Sequence, residues 1–132
     1  MKKAILCVDD EAIILMSIKQ ELNALFADAY VYETALSLEA ALSVMDELDA
    51  EGISLAAILT DWFIPGMSGT ELIASYKARY PLVPCVVVTG QFDDKNIQAL
   101  LQNGSLKAVL QKPWETAELR ETIQLCVGDG HV

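Results

Sequence analysis

The amino-acid sequence predicts an α/β fold: five short strands alternating with five helices in one doubly wound parallel sheet. Three observations carry this. Residues 4–8, 56–59 and 85–88 are short continuous apolar runs, the pattern of strands buried on both faces. Between the strand candidates lie stretches with apolar residues at helical spacing. The two kinds of segment alternate five times, and right-handed crossovers then lay helices over both faces of a single sheet.

The elements follow in order. Residues 4–8 give the first strand, and Ile14, Ile18, Leu22 and Leu25 mark the apolar stripe of the helix after it. Residues 30–32 are a weaker strand candidate, bounded by an acidic residue on each side and so suited to a sheet edge. Leu38, Ala41, Leu42, Met45 and Leu48 mark the second helix, residues 56–59 the third strand, and Leu72, Ile73, Tyr76 and Tyr80 the third helix. Ser68 and Glu71 have capping-box spacing at the start of that helix. Residues 85–88 give the fourth strand; Ile97, Leu100 and Leu101 follow on a helix that Gly104 is placed to stop. Residues 108–110 are a second weaker strand, and Leu119, Ile123 and Val127 mark the last helix. No repeat, low-complexity tract or linker interrupts the series, so one domain is expected over residues 1–127, with a short polar tail at 128–132 expected to fray.

Composition narrows the function classes. A chain of 132 residues buries enough surface to fold without metal or disulfide support. Nine basic residues against nineteen acidic give a net charge of −10, which repels a phosphate backbone, so direct nucleic-acid binding is not expected. No apolar stretch reaches the roughly 20 residues of a membrane span, and the first residues lead directly into a strand pattern rather than a signal peptide. Cys7, Cys85 and Cys126 are odd in number and lie in apolar runs, which reads as small buried hydrophobes in a reducing cytoplasm.

The chemistry is concentrated at strand ends. Asp9 and Asp10 follow the first strand, Asp61 the third, Thr89 the fourth and Lys112 the fifth. In a parallel sheet these ends emerge along one edge, where ligands bind. Each residue alone has an ordinary reading: an acidic pair after a strand is most often a turn or helix cap, and a lysine a solvated charge. Together, three carboxylates repel one another unless a cation neutralises them. Oxygen ligands without His or Cys suit a hard ion such as Mg²⁺, held by carboxylates, water and a phosphate. Such an ion organises phosphoryl transfer to a carboxylate nucleophile, with Lys112 as a second positive charge, Thr89 as a hydrogen-bond donor to a phosphoryl oxygen, and Gly90 leaving room for the group to enter.

The segments Leu6-Cys7-Val8-Asp9-Asp10-Glu11, Leu59 to Gly69 around Asp61, Val88-Thr89-Gly90 and Lys112-Pro113 together resemble the receiver domains of two-component response regulators, over nearly the whole chain. The resemblance implies a flavodoxin-like sheet of order 2-1-3-4-5. It implies that Asp61 accepts a phosphoryl group from a phosphohistidine on a sensor histidine kinase or phosphotransfer protein, and that the aspartyl phosphate later hydrolyses slowly by self-catalysis. Mg²⁺ would be bound by Asp10, Asp61 and the backbone carbonyl of Phe63, with Asp9 acting mainly through water. Lys112 would pair with Asp61 before transfer and with phosphate after it, and Thr89 would be the switch hydroxyl. The Lys112–Pro113 bond is cis by the same resemblance and trans by general X-Pro preference.

The sequence also departs from the family pattern. Val109 stands where receivers usually carry an aromatic residue, three positions before the lysine, so an inward-turning ring is not available to relay the state of Thr89. Phe63 and Gln91 occupy positions that tune phosphoryl lifetime in the family, and Phe63 reads equally as a water shield or a loop anchor. Trp62 and Trp114, the only tryptophans, flank the proposed site residues and read either as reporters of the site or as loop anchors.

Three functions follow. The first is a phosphorylation switch on the face of the fourth and fifth helices, with output by homodimerisation or through a covalently linked domain. The second is a degenerate receiver that binds protein without phosphorylation. The third, an aspartyl-nucleophile phosphohydrolase of the haloacid dehalogenase type, wants an acid two positions after the nucleophile, where Phe63 stands.

Overall fold

A computed structural model describes residues 2–91 and 93–128. The elements run β1 (Lys3–Val8), α1 (Ala12–Phe26), a 3₁₀ turn (Ala27–Ala29), β2 (Tyr30–Ala35), α2 (Leu38–Glu51), β3 (Ser54–Asp61), α3 (Gly69–Arg79), β4 (Cys85–Thr89), α4 (Lys95–Gln102), β5 (Ala108–Gln111) and α5 (Thr116–Val127). All four strand pairings are parallel and the order is β2-β1-β3-β4-β5, as expected. The strand expected at residues 56–59 is longer by two residues at each end.

Side chains alternate across the sheet and are buried on both faces. Ala4, Leu6, Ile58, Cys85 and Val87 face α2, α3 and α4, packing with Met45, Leu72, Tyr76 and Ile97. Ile5, Cys7, Leu59, Val86, Val88 and Leu110 face α1 and α5, packing with Ile18, Leu22, Leu119 and Ile123. This two-sided burial is why the central strands read as unbroken apolar runs. The stripe of α1 is corrected by one position: Leu15, not Ile14, is buried with Ile18 and Leu22, and Ile14 is only half-buried.

Local signals place the ends of the elements. Ser68 and Glu71 form the expected reciprocal capping box on α3. Asp94 caps α4 through the Asn96 and Ile97 N–H groups, and Gly104, at φ 84°, turns the chain out of that helix in a conformation a Cβ disfavours. Gly128 ends α5, and the rest of the expected tail, residues 129–132, lies outside the described residues. Among the described residues no helix is long and apolar enough to cross a membrane.

Candidate functional site

The parallel register brings the strand ends together. Val8 pairs with Thr60, Asp61 with Val88, and Thr89 with Gln111, so Asp9, Asp61, Thr89 and Lys112 lie at or just beyond the C-terminal edge of adjacent strands. Asp9 is fixed by its N–H donating to Ala35 O at 3.1 Å, and its Oδ1 accepts the Glu11 N–H at 2.9 Å. Asp9, Asp61 and Thr89 are buried, whereas Asp10 is exposed.

Lys112 is shared unequally between the two buried carboxylates. Its Nζ donates to Asp9 Oδ2 at 2.9 Å and lies 3.6 Å from Asp61 Oδ2. The expected Asp61 pairing is therefore present, with Asp9 the nearer partner. Burial alone would lower the lysine pKa, but its bond to Asp9 and the charges of Asp61, Asp9 and Glu11 outweigh this and raise it, so the ammonium stays charged. Asp61 moves the other way for a carboxylate in an ion pair. Desolvation raises its pKa, Lys112 opposes this, Asp9 adds repulsion, and the Phe63 and Trp62 N–H groups only partly compensate. One lysine does not neutralise two buried carboxylates.

That imbalance is the physical test for a cation. One carboxylate oxygen from each of Asp9, Asp10 and Asp61 lies within 4.8 Å of the others, an all-oxygen donor set open to solvent through Asp10. Such a set fits a hard divalent ion that keeps several waters. The residues present therefore suit Mg²⁺.

The surrounding residues separate into supports and exposed groups. Thr89 Oγ1 accepts the Gln91 N–H at 3.2 Å, which ties the expected switch hydroxyl to the start of the next loop. The Lys112 N–H donates to Thr89 O at 2.9 Å, and the Lys112–Pro113 bond is cis. Phe63 donates its N–H to Asp61 Oδ1 at 3.4 Å, but its side chain is 53% exposed, so the ring does not anchor the loop in the core. Trp62 does: it is buried against α3, and a Cβ at Gly69 would meet its ring at 2.3 Å, so the indole lies directly on glycine backbone. Val109 packs partly buried on the face of α2, α3 and α4.

Sequence reasoning missed two supports. Behind Asp61, the buried Tyr76 hydroxyl is 3.3 Å from Thr60 Oγ1, which donates to Asp61 O at 3.0 Å. Burial pushes the Tyr76 phenol up to about 12, with the Thr60 hydrogen bond opposing. Glu21 on α1 accepts hydrogen bonds from Trp114 and Thr116, just after Lys112. Thr60 lies inside the segment quoted around Asp61, but nothing there marks its hydroxyl as a support, and Glu21 belongs to no pattern at all.

A cleft of about 590 Å³ lies elsewhere, lined by Lys3, Tyr30, Leu55, Leu82 and Val127 near the opposite strand ends.

This arrangement of elements, and the sequence that builds it, have relatives. A response regulator receiver domain from Methanospirillum hungatei, described as CheY-like, superposes with a TM-score of 0.75 at 29% identity, covering 94% of this chain and 92% of that one. The chemotaxis protein CheY1 of Helicobacter pylori is 26% identical over 94% of this chain and 96% of its own length. The hydrogenase transcriptional regulatory protein HoxA of Cupriavidus necator is 27% identical over 55% of this chain, a match that spans 15% of HoxA. The model of the response regulator receiver domain matches residues 5–124, a span that takes in all five strands' ends and every acidic, hydroxyl and lysine residue of the cluster; this chain belongs to that family.

Proposed function

We propose that this receiver domain is a phosphorylation switch whose acceptor is Asp61. The observation that carries this reading is the under-neutralised state of that carboxylate, buried beside Asp9 with one shared lysine at 3.6 Å. The donor is a phosphohistidine on a sensor histidine kinase or phosphotransfer protein. A carboxylate oxygen of Asp61 attacks phosphorus, the P–N bond breaks as the O–P bond forms, and the electron pair leaves with the imidazole, which takes up a proton.

Asp10, Asp61 and the Phe63 carbonyl would hold Mg²⁺, with Asp9 through water; the ion would draw negative charge from the transferring group. Lys112 follows the charge, exchanging its Asp61 contact for a phosphoryl oxygen while its ammonium keeps the bond to Asp9. The Thr89 hydroxyl turns from the Gln91 N–H toward the phosphoryl group and pulls on the loop before α4. Phe63, half in solvent beside the acceptor, limits the approach of hydrolytic water, and slow self-catalysed hydrolysis resets the switch.

Val109 denies this chain the usual aromatic relay, so output is carried by the loop after Thr89 and by α4 rather than by a rotating ring. The partner is a second copy or a linked output domain, of which HoxA, with 85% of its length beyond the matched region, offers a model. The acidic surface and apolar-run cysteines favour a cytoplasmic setting without direct nucleic-acid contact.

Mass spectrometry after incubation with Mg²⁺ and a small phosphodonor tests the assignment. Wild type is expected to gain one phosphoryl adduct and Asp61→Asn none. No adduct on wild type, or one that survives in Asp61→Asn, removes the proposal in favour of a phosphorylation-independent binding module.

A further inference from the structure

We infer that Glu21 is a positioning residue for Lys112, acting across a cleft through the Trp114 indole. The inference deepens the proposed function and rests on Lys112 acting at the Asp61 site.

Lys112 leaves the end of β5, a four-residue strand at the sheet edge with β4 as its one strand neighbour. The backbone bond to Thr89 O is followed by residues 112–115, which belong to no helix or strand before α5 begins at Thr116. A long flexible side chain on such a segment needs a second point of attachment to hold its ammonium within hydrogen-bond reach of a buried carboxylate. Glu21 supplies one. Its Oε2 accepts the Trp114 Nε1–H at 2.9 Å, and its Oε1 accepts the Thr116 hydroxyl at 3.1 Å, so one carboxylate from α1 ties the segment after Lys112 and the first residue of α5 to the same point.

The space around this grip is open. A cleft of about 410 Å³ is lined by Ile14, Ser17, Glu21, Lys112, Pro113 and Trp114. Side chains therefore do not fill the gap between α1 and the Lys112 segment, and the two hydrogen bonds span it. The Trp114 ring packs partly buried against the core shared by α1 and α5, which makes it a stiff lever rather than a loose tether. When the grip is broken, Trp114 and the backbone of residue 112 gain freedom together, and the 2.9 Å Nζ–Asp9 contact loosens at the other end.

A purely structural brace between α1 and α5 would change stability and nothing else. The positioning role moves Lys112 itself, and two measurements separate them. Glu21→Leu is expected to slow phosphoryl acceptance from acetyl phosphate about tenfold, less than the roughly hundredfold that a full 1 Å misplacement can cost. Glu21→Gln restores most of the rate, because its amide oxygen still accepts from Trp114 and its amide N–H donates to the Thr116 hydroxyl. In a Lys112→Ala background, Glu21→Leu should change the rate less than about twofold, since both act through one group.

The second measurement uses no phosphodonor. The Lys112 Nζ resonance of ¹⁵N-lysine-labelled protein is expected to shift toward solvent-exposed lysine in Glu21→Leu. Should that variant fail to fold, Trp114→Phe keeps an aromatic ring in the core, removes the donor and is expected to give the same shift. An unmoved Nζ resonance in the folded variant overturns the inference. So does a Glu21→Leu loss of rate that persists in full without Lys112. If wild type accepts no phosphoryl group, the proposed function fails while the resonance still decides the role of Glu21.

Discussion

Lys112 sits between Asp9 and Asp61 at the edge of the sheet, and Arg79 between Asp46 and Asp49 on the surface of α2 and α3. Each cation pairs with two carboxylates, but their surroundings differ. Asp9 and Asp61 side chains are 4% and 10% exposed, against 72% and 54% for Asp46 and Asp49. In the outer cluster Asp49 is held below its ordinary pKa, first by the Arg79 hydrogen bond and then by the Tyr80 hydroxyl. In the inner cluster Asp61 is raised, because desolvation outweighs the same kind of partner. Water screens the charges outside; inside, one lysine faces two desolvated carboxylates, and the proposed divalent ion would supply the missing positive charge.

The largest expected effect comes from taking the cation out of each cluster. Lys112→Met strands two buried carboxylates and should destabilise the metal-free protein by about 3 kcal/mol, the low end for breaking a buried pair. Mg²⁺ should recover part of the loss. Urea unfolding with and without Mg²⁺ measures both, and a loss no greater than that of Arg79→Met would remove the distinction between the clusters.

Next is the packing that holds the inner cluster's strand end. Gly69→Ala sets a methyl against the Trp62 ring, at a position where the two would approach to 2.3 Å. Overpacking of this kind should cost about 2 kcal/mol and displace the indole, changing its fluorescence as well as the unfolding midpoint. Unchanged stability with unchanged emission would mean that the loop after Asp61 yields freely.

What the sequence made legible follows the same division. Unbroken apolar runs marked the central strands because burial on both faces leaves no polar alternation to obscure them, and Ser68 with Glu71 marked the start of α3 through a reciprocal bond that both residue types are needed to form. Convergence of Asp9, Asp61 and Lys112 was readable because a parallel sheet exposes all strand ends on one edge. The phase of α1 was not, because residues 12–16 are Ala-Ile-Ile-Leu-Met and five successive apolar positions define no single stripe; Ile13 and Met16 in fact lie 70% and 62% exposed. Nor was the division of Lys112 between two aspartates, a difference of 0.7 Å between 3.6 and 2.9 Å that only tertiary packing sets. Glu21 was one of nineteen acidic residues with no local mark, and its partners lie 93 and 95 positions away.

The pH response should distinguish the clusters by sign. Asp61 has a folded pKa above its ordinary value of 3.8, so its favourable contribution is complete below that value and is lost as pH rises through the raised folded value. At neutral pH its charge is a liability: Asp61→Asn should stabilise the metal-free protein by on the order of 1 kcal/mol, with the advantage vanishing in acid. Asp49 is lowered from 3.8, so its contribution is present above that value and lost as pH falls through the depressed one. Asp49→Asn should therefore weaken the protein at neutral pH and converge on wild type in acid. Thermal melts across pH 3 to 7 check both, roughly the span over which carboxylates titrate; two curves of the same sign would show that burial does not set the behaviour of these aspartates.

The smallest effect is expected from Arg79→Met. Arg79 bonds Asp46 at 2.5 Å and Asp49 at 2.9 Å, and its guanidinium lies 5.6 Å from the centre of the Tyr80 ring. Three contacts to one side chain suggest strength, but the carboxylates are exposed and already solvated, so the ion pairs replace water contacts of similar worth. What remains after Arg79→Met includes the Tyr80 hydroxyl bond to Asp49 at 3.0 Å, which still joins α2 to the end of α3. The unfolding midpoint should fall only slightly, and the difference from wild type should shrink further in 1 M salt, where the screening length is about 3 Å. The Lys112→Met loss, set by desolvation rather than by long-range attraction, should survive the same salt, so a salt series on the two variants separates a charge cluster built for the surface from one held ready at the sheet edge.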